Sequence, residues 1–491
     1  MNISRKRAAT LAATATALVV TGLSAGATTA AAAPGGKSDQ SAKLRKDVSV
    51  AKIMRHLEAL QGIADDNDGT RASGTDGYEA SGAYVEARLE KAGYTTERQY
   101  FPFTYTEILG EDVTENSPTA RSFENHVMTA SPSTPEGGVT ADLIEPAIST
   151  GCPATDTTPA GWGSVDAEGK IALVQRGACS FLQKSQAAAA AGAEAVIIYN
   201  NAEGELNGTL GDDPTGAIPT TGILQADGQA LAAELATDAV NMTVDLRTLV
   251  ETRRTFNVIA ETQKGSSDDV VMLGSHLDSV VGGAGINDNG SGSATILAVA
   301  EAVASPKYKL NGKLRFAWWG AEETGLVGST YYVNELKKEA GALDDIATYL
   351  NFDMLGSPNF QIGVYDADES TIDAPEGVTI PAGSIETEDV FTDYFDSVDQ
   401  AWNDTAFSGR SDYQAFINNG VAAGGLFSGA DGVKTPEQEE MYGGEAGVIY
   451  DPNYHTPEDD IDNINKESLD IMSDAVAHAA ITLARNPGLV R

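Results

Sequence analysis

A chain of 491 residues in which 71 acidic side chains stand against 32 basic ones, for a formal charge of −39, repels polyanions, which excludes nucleic acid and anionic membrane surfaces as partners. With 42% apolar residues it can bury a sizeable core, and its length predicts about two to four domains. The charge is read as keeping the protein soluble, with some carboxylates left to hold metal.

The first residues run Arg5-Lys6-Arg7, then a mildly apolar stretch from Ala8 to about Ala25, then Ala31-Ala32-Ala33. Basic, apolar and small-residue regions in that order predict a secretory signal over residues 1–33 and hence an extracellular protein. Thr and Gly make this stretch a poor membrane span, and no later one approaches the roughly 20 apolar residues a span needs. The only two cysteines, Cys152 and Cys179, would then meet an oxidising compartment, which predicts one disulfide between them.

A polar leader occupies 34–46. The run from Ser49 to Ala64 places Val50, Ile53, Met54, Leu57 and Leu60 at helical spacing. A second helix is predicted from Gly77 to Ala92, stopped by Gly93, and a strand from Thr95 to Tyr105. Between Glu124 and Thr248 the pattern changes to short strands, Ile171 to Val174 and Ala195 to Tyr199, around an alanine-rich helix from Leu182 to Ala191. Residues 124–248 therefore read as a domain inserted into a second one, which is split into 47–123 and 249–491. After the insert, strand character resumes from Phe256 to Glu261. Predicted strands Val270–Leu273, Lys313–Trp319, Thr348–Phe352 and Val421–Phe427 then alternate with helices Ser293–Val303, Ser329–Lys338, Ser411–Asn418 and Glu467–Arg485. Such alternation implies an α/β domain with a mixed, mainly parallel sheet flanked by helices.

Chemistry-bearing residues gather where these strands end. His276 closes an apolar strand and Asp278 follows two residues on, so a carboxylate is at hand for the second ring proton. Asp288 lies in Gly285-Ile-Asn-Asp-Asn-Gly-Ser-Gly292, whose glycines let a carboxylate turn inward before the next helix. Strand Lys313–Trp319 leads to Glu322-Glu323 and strand Thr348–Phe352 to Asp353, and Tyr454-His455 stands near the end of the chain. Two adjacent glutamates can divide the work, one binding metal while the other takes a water's proton. Each piece alone also fits an Asx turn, a structural histidine or a solvated helix start. Together, in this order, they point to a pair of metal sites.

Arg176-Gly-Ala-Cys-Ser-Phe181, with Lys184, the alanine run, Gly192 and the strand ending at Tyr199-Asn200, resembles the protease-associated domain, here read as a lid or access module. His-x-Asp, Asn-Asp-Asn-Gly, Glu-Glu-x-Gly and Tyr-His resemble the secreted bacterial double-zinc aminopeptidases of the leucyl type. That resemblance implies two zinc ions: His276 and Asp353 on one, Glu323 and His455 on the other, and Asp288 bridging, often with a cis bond to Asn289. It implies Glu322 as general base and Arg410 and Tyr454 as donors to the developing oxyanion. It further implies a monomer acting on peptides or proteins with a free amino terminus, and release of large apolar residues. Asp47 with the Val48 carbonyl, and Asp470 with Asp474, match a calcium site of close relatives. Relatives can close the Tyr-His loop with a disulfide; Asn453 and its neighbours contain no cysteine, so a looser loop is expected. The competing readings are a carboxypeptidase, a receptor that has lost the chemistry, and a one-zinc cyclising acyltransferase.

Overall fold

Three largely buried strands lie side by side and parallel at the heart of the computed structural model: Ser266–His276 in the middle, Gly312–Trp319 on one side and Ile346–Phe352 on the other. The structure describes residues 39–155, 160–211, 213–375 and 378–491; the expected signal segment and the first part of the leader lie outside the described residues. Alternate residues of each strand enter two different cores, which is why these strands read as continuous apolar runs. Val271, Leu273 and Leu350 pack beneath the helices Val50–Asp65, Asp76–Ala92, Gly292–Val303 and Lys466–Arg485. Val270, Met272 and Tyr349 pack with Tyr332 and Phe416 of the helices Val327–Leu336 and Tyr413–Ile417 on the other face.

Ala423–Phe427 extends the parallel set beyond Ile346–Phe352, Gly363–Tyr365 pairs antiparallel with it, and Asn241–Glu261 pairs antiparallel with Gly312–Trp319. The sheet is therefore mixed and mainly parallel at its centre, as expected. Helix Asp76–Ala92 starts at Thr75, whose hydroxyl accepts from the Tyr78 N–H, and stops at Gly93, which takes a left-handed φ of 96°.

Two expectations change. The stretch read as a polar leader is helical from Gln40 to Asp47, with Leu44 fully buried where this helix packs on Lys466–Arg485. Ala42 and Leu44 alone among eight residues give no periodicity to read; the contact with the last helix makes this one. The short strands expected at 95–105 and 256–261 are parts of a long ribbon, Thr96–Ser117 antiparallel to Asn241–Glu261. The near half of the ribbon joins the central sheet. The far half carries the insert, pairing through Asn241–Val244 with Val139–Ile144. Beyond it, Ile171–Gln175, Ala195–Tyr199 and Thr220–Ile223 run parallel, and Asn125–Val127 closes the edge. The point between 248 and 249 thus falls inside an unbroken strand.

Cys152 and Cys179 are joined, closing a loop with a sequence separation of 27. Among the described residues no helix is long and apolar enough to cross a membrane. A Cys152→Ser, Cys179→Ser double variant should unfold the insert about 3 kcal/mol more easily in urea, because a loop of that size loses its closure constraint. Turnover of a small substrate by the native double variant should be unchanged.

Candidate metal centre

The carboxyl ends of the three central strands converge, as ligand sites in open α/β sheets do. His276 is the last residue of its strand, Asp353 directly follows Ile346–Phe352, and Glu322 and Glu323 occupy a turn just past Gly312–Trp319. That turn is held tightly: Ala321 and Leu326, at its two sides, adopt left-handed φ values of 55° and 58°. Asp288 sits between strand and helix, and its bond to Asn289 is cis, as the resemblance implied. The Asn289 side chain donates to the Phe352 carbonyl and accepts from the Gly292 and Met354 amides, joining this loop to the one that carries Asp353.

Asp288 faces two histidines with two different oxygens. Its Oδ1 lies 3.1 Å from Nε2 of His276 and its Oδ2 lies 3.2 Å from Nε2 of His455. His276 Nε2 is also 3.2 Å from Oδ1 of Asp353, and His455 Nε2 is 3.1 Å from Oε2 of Glu323. The ligand atoms form two overlapping sets, each drawn within 4.8 Å: His276 with Glu322 and Asp353, and His276 with Asp288 and Glu323. Oε1 of Glu323 is buried with no hydrogen-bond partner, so this constellation has an acceptor to spare for a cation. Nitrogen and carboxylate oxygen donors in such an arrangement suit zinc.

The charge balance says the same. Burial pushes Glu322 well above the usual carboxylate range and Glu323 up to about 7. Burial works to raise Asp288 as well, but the hydrogen bonds from His276 and His455 outweigh it and hold it low. Burial would lower His455, yet its bonds to Asp288 and Glu323 lift it to about 10. Without a cation, the imidazoles take protons to offset the carboxylates around them.

The tautomer of His276 is set differently from expectation. Its Nδ1 lies 3.0 Å from the backbone carbonyl of Asp278, whereas the Asp278 carboxylate is 3.7 Å away and accepts from the Glu322 amide at 3.3 Å. Asp278 therefore joins the strand end to the glutamate turn, and the carbonyl is the better acceptor for the ring proton.

The Tyr-His loop is not loose. His455 takes a left-handed φ of 60°, and polar side chains fix the loop where relatives can use a disulfide. Asp459 accepts the backbone amides of Asn287 at 2.8 Å and Asp288 at 2.9 Å, while Asp451 accepts from Asn287, Asn453 and Asn463. Sequence reading missed these residues because Glu458-Asp459-Asp460 looks like an ordinary solvated acidic run. It missed Ser411 too, whose hydroxyl donates to Oδ2 of Asp353 at 2.6 Å; its one signal was its place next to Arg410.

Arg410 pairs in bidentate fashion with Asp431, at 3.0 and 3.2 Å, rather than with Asp412, which is buried. Its Nη2 also reaches the Tyr454 hydroxyl at 3.5 Å, and the Tyr454 ring stacks on His455 with centroids 3.8 Å apart. Arg410, Tyr454 and the acidic residues line a cavity of about 390 Å³ whose apolar wall includes Met354, Tyr365, Ile372, Ala406 and Phe427.

At the positions that match a calcium site, the acidic side chains of Asp47 and Asp474 have protein partners. The Asp47 carboxylate accepts from Tyr308 and pairs with Lys307, and Asp474 pairs with Arg45 at 3.2 Å. Among the described residues Asp47, Asp470 and Asp474 do not come together as a metal-sized group.

Residues 257–480 match peptidase family M28 and residues 139–231 match the PA domain. A probable leucine aminopeptidase 2 of Trichophyton verrucosum is 42% identical over 447 residues, covering 90% of this chain and 86% of its own. An aminopeptidase of Pseudomonas aeruginosa is 42% identical over 465 residues, covering 91% and 83%. Among solved structures, an aminopeptidase from Aneurinibacillus sp. strain AM-1 superposes with a TM-score of 0.67 at 28% identity, covering 92% of this chain and 97% of its own. A zinc aminopeptidase from Bacillus subtilis gives 0.62 at 26%, covering 89% and 96%.

A divalent cation entering this centre must displace the proton that His455 carries below about pH 10. Affinity should therefore rise with pH, by about tenfold per unit for each proton released, when followed by chelator competition from pH 6 to pH 8. A pH-independent affinity would contradict that charge balance.

Proposed function

The chain is a metallo-aminopeptidase of peptidase family M28 carrying a PA domain, and we propose that it is exported, holds two zinc ions and releases large apolar residues from free amino termini. The observation that carries this reading is the divided carboxylate of Asp288, one oxygen toward His276 and the other toward His455. One carboxylate facing two separate nitrogen donors suits a bridge between two cations. His276 and Asp353 would complete one zinc site, Glu323 and His455 the other. Zinc, when bound, supplies Lewis acidity toward the scissile carbonyl and makes a neighbouring water more acidic.

The remaining steps fall to the protein's own groups. Glu322, buried beside His276 and Asp353, receives the proton of the attacking water and hands it to the leaving amine. Burial, together with the charges of Asp288 and Glu323, raises Tyr454, so it stays a hydroxyl donor. With Arg410 it faces the developing oxyanion from within the same cavity. Carboxylates around the metals, Glu322 and Asp353 among them, receive the substrate's α-ammonium, so an acetylated terminus is a poor substrate. The wall of Met354, Tyr365, Ile372, Ala406 and Phe427 supports an apolar side chain at the cleaved position. The insert, rooted in the ribbon beside the glutamate turn, is read as governing which peptides reach the cavity.

Purified protein assayed on aminoacyl anilides tests this directly. Leucine should exceed alanine by about 2 kcal/mol, or about thirtyfold in kcat/KM, from the extra buried methylenes. A chelator should abolish release and zinc restore it, and mass spectrometry should count two zinc ions per chain. Glu322→Ala should lower kcat by about 10²–10⁴-fold. One zinc at full activity, or equal turnover of leucine and alanine, would sink the corresponding part of the proposal.

A further inference from the structure

Arg71 is fully buried, yet among the described residues no carboxylate lies within ion-pair distance of it. Its guanidinium is spent on backbone carbonyls instead. Nε donates to Ala284 at 2.7 Å, Nη2 to Gly285 at 2.6 Å, and Nη1 to Leu277. Those acceptors stand at the two ends of one loop. Leu277 directly follows His276, and Gly285 begins the turn that delivers Asp288.

The adjoining main chain grips the same loop and its neighbour. The Arg71 amide donates to the Ser279 hydroxyl at 3.0 Å, which itself donates to the Gly283 carbonyl at 2.8 Å, and the Thr70 hydroxyl donates to Val280. Two residues on, the Ser73 hydroxyl accepts from the Ala321 amide at 2.7 Å, immediately before Glu322. Residues 70–73 thus hold both the loop between His276 and Asp288 and the turn of Glu322 and Glu323.

We infer that Arg71 is a positioning residue for the metal ligands, an inference resting on the two-zinc reading: its planar fork ties both ends of the 277–285 loop and so fixes how far His276 stands from Asp288. A guanidinium suits this task because its donors point in fixed directions, whereas an ammonium on a flexible stem cannot reach three carbonyls at set angles. Burying it is costly, and three carbonyl acceptors offset that cost. Burial lowers Arg71 to about 10, with Asp278, Asp459, Asp288 and Glu323 opposing, so it keeps its charge at neutral pH. Gly285 belongs to the same device. Its φ is 59°, and a Cβ there would meet the Asp288 carbonyl at 2.4 Å and Arg71 Nη2 at 3.2 Å, so the loop closes tightly over the guanidinium.

A role in stability alone and a role in positioning part company on one readout, the zinc affinity of folded protein. The full chain, Arg71→Met and Arg71→Lys are stripped with a chelator, and zinc binding is measured by competition with a chromogenic chelator. Melting temperatures of the stripped proteins, and kcat and KM of the reloaded ones on leucine anilide, are recorded alongside. Arg71→Met should weaken zinc binding by about 10–100-fold, the usual cost of losing an outer partner of a ligand. It should lower kcat while KM stays within about twofold, since Arg71 does not line the substrate cavity. Arg71→Lys should move both in the same direction by less, and it decides the matter where Arg71→Met does not fold. Zinc affinity within about twofold of wild type in the folded variants would overturn the inference, even with a lower melting temperature. Failure of the unaltered protein to bind two zinc ions would instead overturn the two-zinc reading.

Discussion

The arrangement of this site depends on one buried carboxylate that must serve two histidines at once. Asp288 is 5% exposed, and its two oxygens face imidazoles delivered by segments of chain more than 170 residues apart. A carboxylate in that position is costly unless positive charge surrounds it. In the protein alone the imidazoles supply that charge by taking protons, and the neighbouring glutamates give up theirs less readily. The same geometry that makes the metal-free site electrostatically awkward makes it receptive to cations.

Holding Asp288 in place is the work of backbone as much as of side chains. The peptide turns sharply on both sides of it, through Gly285 before and the cis bond to Asn289 after, and each turn is fastened to a different part of the molecule. Asn289 fastens it to the strand end that carries Asp353, and Asp459 fastens its amide to the loop that carries His455. Three loops that could each move separately are thereby reduced to one body. Within the Tyr-His loop Asp451, Asn453 and Asn463 satisfy one another's hydrogen bonds.

Much of this was legible in the sequence because the central strands are buried on both faces and so write unbroken apolar runs whose ends mark the site. His276, Glu322, Glu323 and Asp353 were placed that way, and helix Asp76–Ala92 by its cap at Gly93. What stayed hidden has physical causes. The helix Gln40–Asp47 owes its existence to packing, and its eight residues show no apolar stripe. The ribbon from Thr106 to Asp112 has no buried residue, so it shows no period-2 pattern and reads like loop until the partner strand, over a hundred residues away, is known. Arg71, Asp459 and Ser411 act through backbone amides and carbonyls or a neighbour's second oxygen, and such partners leave no spacing rule in the sequence. The pairing of Arg410 with Asp431 is a tertiary contact of the same kind, decided by the fold of a loop.

The ribbon explains how an insert can be carried without disturbing the centre. Phe101, Phe103 and Tyr105, on its inner face, bury themselves against Ala321, the residue that precedes Glu322. The Arg253 guanidinium lies 3.4 Å over the Tyr105 ring and donates to the Gly74 carbonyl, so the root of the ribbon is joined to residues 70–74 as well. Strand pairing then continues outward, through two shifts of register, to the insert. Between root and insert the pair of strands runs through an exposed stretch around Ile108, Leu109 and Val250, where a bulge shifts the register between Ile108 and Gly110. The aromatic cluster below that stretch keeps the glutamate turn in register with Asp288. The insert and the metal-binding groups therefore share one structural root: the same pair of strands that carries the outer domain is packed, at its inner end, on the residue that precedes Glu322.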